Sequence, residues 1–314
     1  MSEMQSGFAA DPEPRRRPSA RTWWLAGIVA LALAGTSLWI GLRPDAGSSA
    51  TPLTVTSPSP TPSVSPSPSA SPTPPRPEPT PAAFALASLP RPAIDGILPR
   101  ELPQAKIDTL RGLPGSVAAP RSPRIPVWPR PDVTKKPVLA LESLYYDADA
   151  RWLVLERRPG WVKVLIPYGR GALPSHDPEQ VNGSAGWLRG SDVVLRKENR
   201  SVVVDLSDRT VTIKHADGTT ARLAATVGAP ATPTPRGLTQ VFTVTEAVNT
   251  GLSVFLSMQS ESLDGFYGTN YAATAIHVGV DQGLAVSNGC IRLTSADFEQ
   301  LTGLDPGVPV LVKD

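Results

Sequence analysis

Cysteine is almost absent: Cys290 is the only one in 314 residues. A lone thiol excludes an intramolecular disulfide framework, which needs cysteines in pairs. Histidine is nearly as scarce. His176, His215 and His277 are scattered, so no metal-ligand spacing exists, and neither metal nor cofactor is expected. Charge of either sign is not in excess, with 30 Lys and Arg against 28 Asp and Glu, and nothing in this balance points to nucleic acid as a partner. Large apolar residues are few from Pro44 to about Ala83, where Ser, Thr and Pro dominate. Such a stretch cannot bury enough surface to offset its chain entropy.

What is present begins with residues 1–22, which read as a disordered cytoplasmic tail. Trp23 to Leu42 is twenty residues without a charge; at about 1.5 Å per residue it spans a hydrocarbon core of about 30 Å. Arg15, Arg16, Arg17 and Arg21 before it place the N-terminus in the cytoplasm, and Trp23, Trp24 and Trp39 suit the two interfaces. A single N-terminal membrane helix over 23–42 is therefore expected, with the rest of the chain on the cell-wall side. Ala32-Leu33-Ala34 also resembles a signal-peptidase site, and cleavage there would give a secreted protein. The apolar run through Trp39, Ile40 and Leu42 favours an uncleaved anchor, and no cysteine follows it to carry a lipid.

Residues 43–124 read as a Pro/Ser/Thr-rich stalk and connector. About thirty extended residues at about 3.1 Å each reach about 90 Å, enough to hold the following domains away from the membrane. Glu101 to Arg111 could make a short helix, although prolines at 90, 92, 99, 103 and 114 keep breaking the period.

From Ile125 the pattern changes to period two. Short β-branched and aromatic segments at 138–141, 151–158, 161–167, 185–190 and 192–195 are separated by turn residues such as Arg158-Pro159-Gly160. The segments IPVWPRPD, RPGWVKVLIP and NGSAGWLRGSDVVL resemble a bacterial SH3-like domain, which implies a small barrel over 125–198. Trp161 and Trp187 read as core, and His176 as solvated in the inserted loop GRGALPSHDPEQ. A second β-rich domain is expected over 199–314. Asp217-Gly218 marks a hairpin beside His215, TPTPRG (232–237) a rigid loop, and TQVFTVTEAV and LSVFLSM two strands. Thr294 with Asp297 starts the one clear helix, Gly303 ends it, and VPVLVK closes the sheet.

Within that domain Ala275 to Leu293 concentrates the chemistry. His277 precedes Cys290 by thirteen residues, and an imidazole within reach of a thiol is the usual way to make a nucleophilic thiolate. Gly289 lets backbone approach closely, so the N–H groups of Gly289 and Cys290 could donate to a developing oxyanion. Ser287 can hold the loop or the imidazole. If Cys290 begins a strand, Arg292 shares its face and can favour the thiolate or hold a substrate carboxylate. Papain-like folds place cysteine well before histidine. Sortases have histidine first, but with a far larger gap and a later arginine.

His277, the contiguous run Ser287-Asn288-Gly289-Cys290-Ile291-Arg292, the upstream TPTPRG and the closing helix plus VPVLV resemble the catalytic domain of L,D-transpeptidases, the YkuD-type fold. The fold class this implies is mainly β: an SH3-like barrel, then a YkuD-type β-sandwich with one short helix near the C-terminus. The resemblance implies cleavage of a peptidoglycan tetrapeptide stem after its third residue through a thioester on Cys290. Transfer to an acceptor amine then makes a 3-3 cross-link. His277 is then the base, with Gly289 and Cys290 as oxyanion donors and Ser287 and Arg292 in support. Stem peptides become the implied partners and carbapenems covalent inhibitors. Where many members have histidine this chain has Asn288, and Val278-Gly279 follows His277 in place of Gly-Thr. Tyr267, Tyr271 and Asn288 are candidates for substrate binding. An L,D-carboxypeptidase, with water as acceptor, and an inactive wall-binding protein remain alternatives.

Overall fold

A computed structural model describes residues 80–145, 148–266 and 268–314. The expected membrane helix at 23–42, the tail and stalk before residue 80, and Tyr267 lie outside these residues. Among the described residues no helix is long and apolar enough to cross a membrane.

The first module is β1 (Ser116–Pro120), β2 (Arg124–Val127), β3 (Leu139–Glu142), the short β4 (Leu144–Tyr145) and β5 (Ala148–Asp149), β6 (Trp152–Arg158), β7 (Trp161–Leu165), β8 (Ala185–Arg189) and β9 (Val193–Lys197). Five of these make a sheet in the order β8-β7-β6-β1-β9, and β2 pairs with β3. Period-two strands with one apolar face bury Ile125, Leu139, Leu141, Trp152, Val164 and Leu188 together. Gly160, at φ +75°, makes the turn between β6 and β7. Trp187 is buried, Trp161 half-buried and His176 exposed.

Two expectations are corrected here. The boundary at residue 125 cuts through the module, because β1 pairs with both β6 and β9, and Leu98 and Leu102 enter its core. The helix over 101–111 is not formed. Pro103 lacks the donor that a helix would need, and its carbonyl instead accepts from Ala185 N–H (2.8 Å) while Ala105 N–H donates to Gly183 (2.7 Å). The connector thus runs extended beside β8.

The second module comprises β10 (Ser201–Asp205), β11 (Thr210–Lys214), β12 (Thr220–Ala224), β13 (Val227–Gly228), β14 (Gly237–Ala247), β15 (Gly251–Gln259), β16 (Ala273–Val278), β17 (Ala285–Ser287), β18 (Ile291–Leu293) and β19 (Pro309–Lys313). Its main sheet runs β12-β11-β10-β19-β14-β15-β16-β18, and β13 pairs with β17. The short helix α1 (Ser295–Phe298) continues as a 3-10 turn, Glu299–Leu301. Thr294 caps it by accepting from Asp297 N–H. Phe298 and Leu301 pack into a core with Val202, Val254, Ile276, Ile291 and Val310. The described chain is therefore mainly β with one short α-helix, as expected.

Leu238 of β14 packs on Leu153, Leu155 and Leu165 of the first module, covered by Ile107 and Leu110 of the connector. Buried Gln240 accepts from Leu153 N–H at 2.6 Å and donates to the Leu165 carbonyl at 3.3 Å. The two modules share an apolar seam across which both ends of the Gln240 amide are paired.

Candidate active site

Strand alternation sets the geometry. In β16, Ile276 belongs to the core, so Ala273, Ala275 and His277 point to the other face. β16 pairs antiparallel with β15, Phe255 opposite Ala275 and Ser253 opposite His277. It pairs in parallel with β18, Ile276 opposite Ile291 and His277 opposite Arg292. Ile291 and Leu293 face the core, which turns Arg292 and the preceding Cys290 toward the same side as His277. Continuing the register by one residue puts Cys290 beside Ala275 and diagonal to His277; such diagonal neighbours lie about 7–8 Å apart at Cα. A cavity of about 680 Å³ opens over this face, lined by Cys290, His277, Arg292 and Asn288, by Phe255 and Ala247–Thr250 of the β14–β15 hairpin, and by Phe266, Thr269 and Tyr271.

The turn before Cys290 is held from three directions. The buried Ser287 hydroxyl donates to the Cys290 carbonyl at 2.6 Å and accepts from Gly289 N–H at 3.2 Å. Ser287 therefore holds the loop. Its carbonyl accepts from Ala229 N–H (2.8 Å) and Thr232 Oγ1 (3.0 Å), which brings TPTPRG against the turn. Gly289 sits at φ +107°, where a side chain is strained. Of the expected pair of oxyanion donors, Gly289 N–H is engaged by the Ser287 hydroxyl.

Electrostatics shift both Cys290 and His277 toward their neutral forms. Burial pushes the Cys290 thiol up, partly offset by a backbone hydrogen bond from Ala275 and by the Arg292 cation. Burial lowers His277, the Val278 carbonyl opposes this, and Arg292 adds to the lowering. His277 Nδ1 lies 2.8 Å from that carbonyl. A carbonyl only accepts, so Nδ1 carries the proton and Nε2 keeps its lone pair. Arg292 is half-buried and 3.9 Å from Asp281, a loose ion pair that leaves its charge facing the cavity. A Cβ on Gly279 would lie 2.7 Å from Arg292 Cδ, so the Val278-Gly279 sequence makes room for the arginine stem.

Asn288 is exposed at the rim, and Tyr271 is half-buried in the loop wall. Among the described residues no three His, Cys, Asp or Glu side chains gather as metal ligands would. Phe255, Phe266 and the hairpin tip were not singled out from the sequence. Period two along β15 carries the signal for Phe255, since it alternates with the core residues Val254 and Leu256.

Residues 199–312 match the family model YkuD, described as the L,D-transpeptidase catalytic domain. A search of curated proteins returned no match. Among solved structures, the chain is similar to an L,D-transpeptidase from Mycobacterium smegmatis, at 17% identity over 49% of this chain and 91% of that one, with a TM-score of 0.32. It is similar to one from Mycobacterium tuberculosis H37Rv at 17% identity, covering 52% and 93%, with a TM-score of 0.34. A third likeness is to L,D-transpeptidase 3 from Mycobacterium tuberculosis in complex with a faropenem-derived adduct, at 17% identity, covering 49% and 91%, with a TM-score of 0.34.

Proposed function

We propose that this chain is a peptidoglycan L,D-transpeptidase working through an acyl-enzyme on Cys290. The observation that carries the reading is the convergence of Cys290, His277 and Arg292 on one sheet face over one cavity, within the segment that matches the L,D-transpeptidase domain. In the first half-reaction the Cys290 sulfur adds to the carbonyl carbon of the third stem residue while His277 Nε2 takes the thiol proton. The Cys290 N–H donates to the oxyanion. The tetrahedral adduct collapses to a thioester, the bond to the fourth residue breaks, and the leaving amine takes the proton from the imidazolium. In the second half an acceptor amine attacks the thioester, His277 removes its proton, and the Cys290 thiol is restored, leaving a 3-3 cross-link. Burial of both groups favours this stepwise proton transfer over a standing thiolate–imidazolium pair. Arg292, the charged side chain among the described residues of the cavity lining, offers a counter-ion for a stem carboxylate.

The test is product analysis of purified protein with tetrapeptide-stem muropeptides. Cross-linked dimers and a Cys290 acyl adduct by mass are expected; tripeptide monomers alone would make the enzyme an L,D-carboxypeptidase, and no turnover would favour a wall-binding role. A carbapenem should add covalently to wild type and not to Cys290→Ala. We further place the site outside the membrane on a single-pass anchor, a reading supported by the uncharged run Trp23–Leu42. The first module is SH3-like in this reading, supported by its succession of short strands.

A further inference from the structure

The loop that contributes to the cavity lining between β15 and β16 is held by the first module as well as by its own. It leaves β15 at Gln259 and returns at Ala272, with Ser260 N–H donating to the Ala272 carbonyl at 2.8 Å, and it carries Phe266, Thr269 and Tyr271 into the cavity lining. Gly265 is required inside it, because a Cβ there would meet the Thr269 carbonyl at 1.7 Å.

At the base of the loop is a fully buried guanidinium. Arg170 is 0% exposed; its Nε donates to Gln259 Oε1 at 2.8 Å and its Nη1 to the Leu263 carbonyl at 3.3 Å. Its backbone is pinned in the first module, with Leu98 N–H donating to its carbonyl at 2.7 Å and its own N–H to Gly96 at 3.0 Å. Asn182 clasps Gln259 from both sides, accepting from its N–H and donating to its carbonyl, each at 2.8 Å, and also donates to Glu261 at 2.9 Å. Ser175 N–H reaches Asp264 at 2.9 Å. Burying a charged group is costly, and an apolar side chain would fill the same space more favourably if packing alone were needed. A planar fork reaching two points of one loop fixes that loop in position.

We propose that Arg170 is a positioning residue for the cavity: through Gln259 and Leu263 it sets the placement of residues 260–266 and 268–272, so that the first module completes the substrate site of the second. The link to substrate rests on the functional reading above; the grip on the loop does not.

The experiment compares wild type with Arg170→Lys, which keeps the charge but loses the fork, and with Asp264→Ala, at a half-buried position outside the hydrophobic clusters. Amide hydrogen exchange over 260–272, KM and kcat on a stem peptide, and the rate of Cys290 alkylation by iodoacetamide are measured together. For Arg170→Lys we expect exchange in the loop to rise about tenfold or more and KM to rise about tenfold, with kcat and alkylation within about twofold of wild type. Asp264→Ala should move the same readouts in the same direction by about threefold. Unchanged loop exchange in folded Arg170→Lys overturns the grip. Raised exchange with unchanged KM, or a fall in kcat alone, overturns the link to the substrate site. Should Arg170→Lys fail to fold by its thermal melt, Asp264→Ala decides by the same two criteria. If Cys290→Ala retained turnover, the functional reading would fail while loop exchange still decided the grip.

Discussion

One wall of the cavity is sheet and the other is loop. β16 and β18 present His277 and Arg292 from ladder positions whose opposite faces are locked in the core by Ile276, Ile291 and Leu293. The facing wall, residues 260–266 and 268–272, is hydrogen-bonded by Arg170, Asn182 and Ser175 of another module. In the proposed reaction the groups that break and make bonds stand on the rigid wall, whereas those that shape the space for substrate stand on the borrowed one. Changes to the sheet wall should therefore act on kcat, and changes to the loop wall on KM.

The largest test of that division is Cys290→Ala. Turnover of a tetrapeptide stem should fall by at least about 10⁴-fold and the acyl adduct should vanish; wild-type turnover would remove the sheet wall from the chemistry. Next comes His277→Gln, for which kcat should drop about 10²–10⁴-fold with KM little changed. A rise in KM of comparable size would place His277 among the binding groups.

Two glycines offer a smaller, paired comparison. Gly289 at φ +107° belongs to the sheet wall and Gly268 at φ +77° to the loop wall, so alanine strains either by about 1–3 kcal/mol. Gly289→Ala should lower kcat about tenfold by displacing the Cys290 N–H and thiol, while Gly268→Ala should leave kcat alone and shift only KM. Equal effects on kcat would break the contrast.

The mildest expectation concerns pH. Because burial lowers His277, its Nε2 stays unprotonated to more acidic pH than an ordinary histidine of about 6.5. Activity should persist as pH falls through that value and be lost only below it. Because burial raises Cys290, iodoacetamide alkylation in the His277→Gln background should accelerate only above the ordinary cysteine range of about 8.5. An acid limb above pH ~6.5 would indicate a charged resting pair instead.

Much of the second module was legible because its signals are local. Alternation marked the strands, Asp217-Gly218 the hairpin, and Thr294 with Asp297 the helix start. The spacing of His277, Ser287, Gly289, Cys290 and Arg292 is confined to the short run β16–β17–β18, where the faces of β16 and β18 follow from period two. The connector was less legible. Pro103 broke the helical period, but nothing local told that its carbonyl would pair with β8 or that β1 would lie between β6 and β9.

The sequence by itself determined the chemistry on offer: a lone thiol, an upstream imidazole, a glycine turn and a cation, on strands that a period-two pattern makes unavoidable. Only the tertiary structure decided that Gly289 N–H is engaged by Ser287, that burial raises the Cys290 thiol and lowers His277, and that Arg170, 120 residues before Cys290, reaches the far wall. Those outcomes depend on burial and on hydrogen bonds between segments distant in the chain. Such pairings are set by how surfaces meet, which no local pattern records.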